Sequence, residues 1–208
     1  MLKVGLTGGI ATGKTIVSQI LKNLGCYILE ADKLAHKLIE PKKKAWKEII
    51  LHFGKEILNP DQTINRHKLG QIIFSNKNQR ELLNKIIHPL VVEEEKKIFK
   101  KLEKEGKYKI FITEAALIVE AGMVSNFDKL IVVYCDEQTQ IKRVMNRDKI
   151  SHKEALKKIK SQLSLSKKLQ YADYKIDTSG SLDETIEQTE QVYRLLMADY
   201  KNLIADSG

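Results

Sequence analysis

One stretch near the start of the chain combines glycine, lysine and threonine at the spacing of a phosphate-binding loop. It runs from Gly8 to Thr15 and fits the pattern G-x-x-x-x-G-K-[ST] at every position. Glycines let backbone N–H groups turn inward around phosphate oxygens, and a following helix adds a partial positive charge. Lys14 is expected to reach the outer phosphates of a nucleoside triphosphate, and the Thr15 hydroxyl to hold Mg²⁺. The predicted nucleotide-binding residues are Gly9, Ile10, Ala11, Thr12, Gly13, Lys14 and Thr15.

The residues on either side of this loop have the pattern that such a motif requires. An apolar run at residues 2–6 predicts a buried strand, and apolar side chains at helical spacing over residues 16–24 predict a helix that ends at Gly25. A strand, a glycine loop and a helix in this order are the context that supports the motif. The alternative interpretation is a glycine-rich turn that happens to precede a helix.

Two carboxylates follow predicted strands. A second strand at residues 26–29 leads into Asp32, and a third strand at residues 109–113 leads into Glu114. Because parallel strands end at the same edge of a sheet, Asp32 is expected beside the phosphate loop. There it could orient and deprotonate an acceptor hydroxyl, or it could instead cap a helix. Glu114 could contact Mg²⁺ through water or touch the substrate, or it could be a surface carboxylate.

Two arginines and a histidine are further candidates for the chemistry. Arg143 and Arg147 are four residues apart and therefore share one helix face. On a mobile lid they could stabilise a transferring phosphoryl group, although a solvated basic face has the same pattern. Arg66 and His88 fall in a helical region, where either could touch the acceptor. A structural role for His88 before Pro89 is equally open.

Composition limits the classes of protein that the chain can belong to. Its 208 residues are 42% hydrophobic and 30% charged, which is typical of a single globular domain with small insertions. No apolar run approaches the roughly 20 residues of a membrane span, and the N-terminus does not resemble a signal peptide. Cys26 and Cys135 lie in apolar runs, which favours reduced core residues of a cytoplasmic protein. The net charge of +9 suits nucleic acid, a membrane surface or an anionic small molecule.

The apolar pattern divides the rest of the chain. Residues 42–107 show helical stripes only, and Pro89 is expected to interrupt them before a long charged helix. Strands return at residues 109–113, 130–134 and 174–177. A basic helical stretch at residues 138–170 contains a capping-box signature at Ser151 and Glu154, and Ser181 with Glu184 repeats it before a C-terminal helix.

These motifs together resemble the dephospho-CoA kinase family, which catalyses the last step of coenzyme A biosynthesis. The resemblance covers the chain from Leu2 to about Leu196. Near the N-terminus, residues 5–10 read G-L-T-G-G-I, as in the family, and Glu30-Ala31-Asp32 corresponds to the family's D-A-D. In the helical region, Arg66 to Leu69 corresponds to R-x-x-L, and His88-Pro89 to the family's H-P. Later in the chain, residues 114–120 correspond to D-x-P-L-L-x-E and residues 140–148 to Q-x-x-R-x-x-x-R-D. Gln162, Ala172-Asp173 and Ile176-Asp177 also fall at the family's spacing. The departures are Ala11-Thr12 for Gly-Ser, Glu30 and Glu114 for aspartates, Ala116 for proline, Lys158 for arginine and Thr178 for asparagine.

The resemblance implies an α/β fold. It consists of a P-loop NTPase core with a five-stranded parallel sheet flanked by helices, a helical substrate-binding insertion and a helical lid. We expect the core at residues 1–41, 108–136 and 174–208, the CoA-binding insertion at residues 42–107 and the lid at residues 137–173.

The activity that the resemblance implies is transfer of the ATP γ-phosphoryl group to the ribose 3′-hydroxyl of dephospho-CoA, with Mg²⁺ as cofactor. Asp32, Lys14, Arg143 and Arg147 would be catalytic, and Asp32, Arg66, His88 and Glu114 would contact the acceptor. The expected partners are ATP and dephospho-CoA, without nucleic acid or membrane, on a monomer or weak homo-oligomer. The alternatives are a kinase of another small acceptor such as a nucleoside, and a nucleotide-dependent switch or nucleic-acid-binding ATPase.

Overall fold

The computed structural model describes residues 1–206, except for the side chains of residues 74 and 75. The last two residues of the predicted core segment 174–208 therefore lie outside the described residues. The chain packs as two compact units, one formed by residues 1–30 with the chain from residue 105 onward, the other by Ala31–Lys104. The predicted insertion and lid remain predictions as functional domains.

The first unit contains all five strands and the helices that cover them. Its strands are β1 (Leu2–Gly8), β2 (Tyr27–Glu30), β3 (Ile110–Glu114), β4 (Lys129–Tyr134) and β5 (Tyr174–Asp177). Its helices are α1 (Lys14–Asn23), α6 (Glu137–Asp148), α7 (His152–Lys160), α8 (Leu165–Leu169) and α9 (Leu182–Ala205).

The five strands form one parallel sheet in the order β2-β3-β1-β4-β5, which confirms the predicted fold class. The chain runs from the central β1 to one edge of the sheet and later crosses to the other side. The phosphate loop therefore leaves β1 at the point where the strand order reverses, which is where ligands bind in open α/β sheets.

Both faces of the sheet are buried, which explains the continuous apolar runs of its strands. One face carries Leu2, Val4 and Leu6 of β1 into a core shared with α1 and α9. On the opposite face Leu130 and Val132 of β4 pack with Ile118. Gly25 has φ 97°, and this left-handed turn ends α1 as predicted.

The second unit is helical. Its helices are α2 (Ala31–Leu38), α3 (Lys44–Phe53) and α4 (Arg66–Ser75), together with α5 (Lys77–Glu105), which runs on into the first unit. They bury their own core, in which Ile49, Phe53, Ile57, Leu69 and Leu83 are members. The unit carries one antiparallel bridge, between Leu58 and Ile64, beside the predicted turn at residues 59–61.

The expectation that Pro89 interrupts the helices is wrong. The residue lies inside the 29-residue helix α5. A proline removes one backbone hydrogen bond of the helix, and a helix can nevertheless continue where packing on both sides compensates for that loss. Leu83 and Ile86 before Pro89 and Val91 after it are all buried, so the apolar face of α5 continues across the proline.

The predicted basic helical stretch is three helices, α6, α7 and α8. Lys149 ends α6 with φ 54°, a left-handed conformation. Ser151 then caps α7 in the predicted capping box with Glu154, and Ser164 caps α8. The second predicted capping box, Ser181 with Glu184, is also confirmed at the start of α9.

Candidate active site

The phosphate loop has the backbone conformation that its sequence predicts. β1 ends at Gly8, and α1 begins at Lys14 directly after Gly13, whose φ is 86°. A Cβ atom on Gly8 would collide with the carbonyl oxygen of Val133 in β4, so only glycine fits there. Because Gly13 has no side chain to cap α1, the N–H groups at the start of the helix face the loop as an anion-binding site.

Hydrogen bonds inside the loop hold its carbonyl oxygens. The oxygen of Gly9 accepts a bond from Lys14 Nζ at 3.1 Å and another from Thr12 Oγ1 at 3.0 Å. The Thr12 side chain is completely buried. Lys14 is thereby held across the loop that the motif predicts to bind phosphates.

Two glutamines from the region of the predicted lid hold Ile10 from both sides. Gln140 Nε2 of α6 donates to the Ile10 oxygen at 2.9 Å, and the Ile10 N–H donates to Gln162 Oε1 at 2.8 Å. Ile10 and Ala11 also pack against the apolar faces of α6 and α7. The loop is therefore fixed by the segment that follows β4 as well as by its own strand and helix.

Arg143 is bound to the end of β5. Its Nη1 and Nη2 atoms donate to Thr178 Oγ1 at 2.9 Å and to the Thr178 carbonyl oxygen at 2.7 Å. The buried Thr178 hydroxyl in turn donates to the carbonyl oxygen of Thr12 at 2.9 Å. Thr178 thus connects α6 to the phosphate loop, and Arg143 is linked to that loop through this single residue.

Arg147 is paired with its neighbour Asp148. Its Nε and Nη2 atoms donate to the two carboxylate oxygens at 2.8 and 3.2 Å, and Lys158 Nζ reaches the same carboxylate at 2.8 Å. Hydrogen bonds from Arg147 and Lys158 hold the pKa of Asp148 well below its usual range. The Arg147 side chain remains 54% exposed, so its guanidinium group is accessible to a ligand.

Two glutamates lie at the carboxyl edge of the sheet. Glu114 ends β3, as predicted, and stands in register with Leu6 of β1 on one side and Glu30 of β2 on the other. The exposed Thr15 lies in the first turn of α1. Hydroxyl and carboxylate oxygens are ligands that fit Mg²⁺. Among residues 1–206 no group of three or more acidic, histidine or cysteine side chains is arranged to hold a metal ion.

In the helical unit, the charges of Asp32 and Arg66 both act on the imidazole of His36. Asp32 is the second residue of α2, inside the helix rather than at its N-cap position, and its side chain is exposed. Burial and the positive charge of Arg66 lower the pKa of His36, and the negative charge of Asp32 opposes them. Two of the predicted acceptor residues, Asp32 and Arg66, therefore act electrostatically on one imidazole.

A pocket of about 460 Å³ opens beside this group. Arg66, the first residue of α4, and His36 line it together with the loop between α3 and α4. Two side-chain hydrogen bonds hold that loop: Asn65 Nδ2 donates to Asn59 Oδ1 at 2.8 Å and Asn59 Nδ2 donates to Thr63 Oγ1 at 3.0 Å. His88 is not among the residues that line this pocket.

Known proteins of the same kind match nearly the whole chain. The family model described as dephospho-CoA kinase matches residues 2–184. The dephospho-CoA kinase of Carboxydothermus hydrogenoformans is 44% identical over 89% of this chain and 89% of its own, and that of Aquifex aeolicus is 39% identical over 96% and 100%. The chain belongs to the dephospho-CoA kinase family.

Solved structures agree with this assignment. A dephospho-CoA kinase from Campylobacter jejuni has a TM-score of 0.69 at 30% identity and covers 93% of this chain and 96% of its own. A shikimate kinase from Acinetobacter baumannii has a TM-score of 0.55 at 15% identity, which shows the shared P-loop kinase fold. As a member of the dephospho-CoA kinase family, the chain is a kinase. No helix among residues 1–206 has both the length and the apolar composition to cross a membrane.

Two departures from the dephospho-CoA kinase family's sequence pattern fall on the loop and its contacts. Ala11, where the family usually has glycine, has φ 56°, in the region that costs a residue with a Cβ atom about 1–2 kcal/mol. Thr178, where the family usually has asparagine, has its hydroxyl committed to Thr12 and Arg143. The first departure strains the loop slightly, and the second supports it.

Several residues at the site were not assigned a role from the sequence. Gln140 and Gln162 belonged to the resemblance to dephospho-CoA kinases, but only their positions in the structure show that they bind Ile10. His36 could have been suspected, since it lies four residues after Asp32 on the same helix face. Lys168, which donates to the carbonyl oxygen of Gly8, is one of many lysines in the sequence, and no local pattern distinguishes it.

His88 should make stability depend on pH. It is half-buried on α5, and burial lowers its pKa from the ordinary 6.5. The unfolded chain takes up a proton near pH 6.5 and the folded imidazole only at lower pH, so the free energy of unfolding falls as the pH drops through that range. We expect His88→Gln to reduce the loss of thermal stability between about pH 7.5 and 5.5. His152→Gln, at an exposed position in α7, is the control, and an unchanged pH dependence in His88→Gln would contradict the assignment.

Proposed function

We propose that the chain transfers the γ-phosphoryl group of ATP to the ribose 3′-hydroxyl of dephospho-CoA, giving CoA and ADP. The match of the family model over residues 2–184 carries this proposal. The phosphate loop supports it, because it lies between a strand, β1, and a helix, α1, which is the context in which such a motif binds nucleoside triphosphates. The net charge of +9 suits two polyanionic substrates.

In this proposal the phosphate loop binds ATP. The backbone N–H groups of the loop and of the first turn of α1 hold the phosphates, and Lys14 neutralises charge on the outer ones. Thr15, with Glu114 through water, would hold Mg²⁺, which when bound neutralises charge on the β- and γ-phosphate oxygens. The hydrogen bonds that already hold the loop mean that little reorganisation is needed when ATP arrives.

Asp32 is proposed as the base. Its carboxylate accepts the proton of the 3′-hydroxyl as the oxygen forms its bond to the γ-phosphorus and the bond from that phosphorus to the β–γ bridging oxygen breaks. ADP leaves with the electron pair of that bond. The exposed position of Asp32 in the first turn of α2 leaves its carboxylate accessible to the acceptor.

Of the two proposed lid arginines, Arg147 has the more accessible guanidinium group, and we propose it for contact with the transferring group. Asp148 binds its guanidinium fork through both carboxylate oxygens, the same two-point geometry in which arginine binds phosphate. A phosphoryl group could take over these donors. The guanidinium group of Arg143 is hydrogen-bonded to Thr178. We propose that its positive charge stabilises the transferring group from this position, where Thr178 separates it from the loop.

The pocket beside Arg66 is proposed to hold part of dephospho-CoA. Arg66 supplies a cationic side chain for the phosphates of the acceptor, with Glu40 in the same lining. The lowered pKa of His36 favours the neutral form of that imidazole, which can form hydrogen bonds. His88 and Glu114 stay predictions as acceptor contacts. A cytoplasmic location and a monomeric or weakly homo-oligomeric state also stay predictions.

A panel of acceptors tests the proposed function. ADP release with ATP and Mg²⁺ is measured for dephospho-CoA, adenosine, other nucleosides, nucleoside monophosphates and no acceptor. We expect kcat/KM for dephospho-CoA to exceed that of each other acceptor by at least about 100-fold. Equal rates with a nucleoside would overturn the proposed acceptor. Hydrolysis at the same rate without an acceptor would overturn transfer altogether.

Arg66→Met should weaken binding of the acceptor without changing the binding of ATP. We expect the KM for dephospho-CoA to rise about 10- to 100-fold, since charge-assisted hydrogen bonds to phosphate contribute about 1.5–3 kcal/mol. The KM for ATP should stay within about twofold of wild type. Arg80→Met is the matched control, because Arg80 is an exposed arginine of the same helical unit that does not line the pocket. Equal effects on both substrates would remove Arg66 from the acceptor site.

A further inference from the structure

Lys168 is a completely buried lysine whose ammonium group has three partners. The Nζ atom donates to the carbonyl oxygen of Gly8 at 3.2 Å and to that of Ala116 at 2.7 Å, and it lies 2.9 Å from Glu120 Oε1. An ammonium group has three N–H donors. Each donor therefore has an acceptor, and the side chain has one defined position.

The three acceptors belong to separate parts of the first unit. Gly8 is the last residue of β1 and the first of the phosphate motif, and Ala116 follows the end of β3 at Glu114 by two residues. Glu120 Oε1 also accepts a bond from the N–H of Leu163, just before α8, at 3.1 Å. One buried charge thus joins the start of the phosphate loop, the segment after β3 and the segment that leads into α8.

The contact with Gly8 determines how the loop leaves its strand. The carbonyl oxygen of Gly8 and the N–H of Gly9 belong to one rigid peptide plane and point in opposite directions. A donor fixed on the oxygen therefore fixes the direction of the N–H. The next carbonyl oxygens along the loop, of Gly9 and Ile10, are held by Lys14 and Gln140. Lys168 is the first in this series of donors, and it is the one that comes from α8.

A purely structural ion pair would be an expensive way to fill this position. Burying an ammonium group without full compensation is strongly unfavourable, and apolar residues of similar volume often stabilise a core better. What an apolar side chain cannot do is hold the Gly8 oxygen. The adjacent Thr7 hydroxyl, which donates to Ala116 at 3.2 Å, strengthens the same attachment from β1.

We infer that Lys168 is a positioning residue for the phosphate loop, which keeps the Gly8–Gly9 peptide plane in the orientation that ATP binding needs and ties it to Glu120. This role rests on the proposed kinase function. In it Lys168 acts through the loop and not on the reacting atoms, so a change at Lys168 should alter the binding of ATP rather than that of the acceptor. Glu120 fixes the position of the ammonium group and, through Leu163, the start of α8.

Lys168→Met tests the inference, because methionine keeps most of the length and removes the donors. We expect the equilibrium dissociation constant for ATP, measured without acceptor, to rise at least about tenfold, and kcat to fall about 10- to 100-fold, as for lost preorganisation. The KM for dephospho-CoA should change less than about twofold. Lys167→Met is the matched control, since Lys167 is the exposed neighbour on the same helix. The amide signals of Gly9 and Ile10 in ¹⁵N-labelled protein should shift in Lys168→Met and not in Lys167→Met.

Glu120→Gln keeps the inference testable if Lys168→Met fails to fold. It retains an acceptor oxygen and removes the charge, and we expect the same change in ATP affinity at a smaller size, about three- to tenfold. A lower thermal midpoint with ATP affinity within twofold of wild type, in whichever of the two variants folds, would mean a structural ion pair only and would overturn the inference. Because ATP binding is measured without acceptor, a wrong assignment of dephospho-CoA would leave this result unchanged.

Discussion

Asp32→Asn is expected to lower kcat by about 10²–10⁴-fold, the usual contribution of a general base. The amide has almost the same size and can still form a hydrogen bond, but it cannot take the proton of the acceptor hydroxyl. The KM for ATP should remain within about twofold of wild type, since the change is on the acceptor side. Steady-state rates with saturating ATP and varied dephospho-CoA measure both effects.

Asp183→Asn is the matched control for this prediction. Asp183 is the second residue of α9, as Asp32 is the second residue of α2, and both side chains are exposed. Each aspartate interacts with the positive end of its helix dipole, so each variant loses the same small stabilisation of about 0.3–1 kcal/mol. A large loss of kcat in Asp32→Asn alone separates catalysis from helix stability. Near-normal turnover in Asp32→Asn would remove Asp32 from the mechanism.

The strands and helices of the first unit could be predicted from the sequence, because their signals are local and agree with one another. The apolar runs of the strands, the glycine at the end of α1 and the two capping boxes each specify one conformation over a few residues. Pro89 is the opposite case, since a proline normally argues against a helix interior. The packing of Leu83, Ile86 and Val91 outweighs that tendency, and such packing depends on residues distant in sequence.

The same distinction applies to the candidate site. The loop and Thr15 follow from a contiguous motif, whereas the partners of the loop come from positions more than a hundred residues later. Gln140 and Lys168 lie on the helices α6 and α8, and Gln162 lies between α7 and α8. Only the fold brings these three residues to residues 8–10. The hydrogen bonds of Arg143 to Thr178 could not be foreseen either, because Thr178 lies 35 residues later, after the last strand.

These partners give the segment after β4 a second role. The sequence suggested a lid whose arginines approach the transferring group, but residues of the same segment also hold the loop itself. Gln140 and Lys168 fix two of its carbonyl oxygens. Thr178, which follows β5 and binds Arg143 of this segment, fixes a third at Thr12. A movement of this segment would therefore displace residues of the phosphate loop as well as Arg147. Binding of ATP and the position of the segment should depend on each other.

Lys14→Met is expected to damage ATP binding and catalysis together. The ammonium group is the cation of the motif, and its loss leaves the outer phosphates and the transferring group without it. We expect the dissociation constant for ATP to rise at least about tenfold and kcat to fall about 10²–10³-fold, in line with the loss of one preorganised charge contact. Because Lys14 also donates to Gly9, the amide signals of the loop should shift even without nucleotide.

Lys22→Met is the matched control for Lys14→Met, since it removes an exposed lysine from the last turn of the same helix α1. It should leave ATP binding and kcat within about twofold of wild type, because the charge is at the far end of the helix from the loop and is screened by solvent. The two lysines of α1 thus separate a general loss of positive charge from a specific loss at the phosphates. Wild-type ATP affinity and turnover in Lys14→Met would refute the assignment of the loop, and with it the kinase mechanism built on that loop.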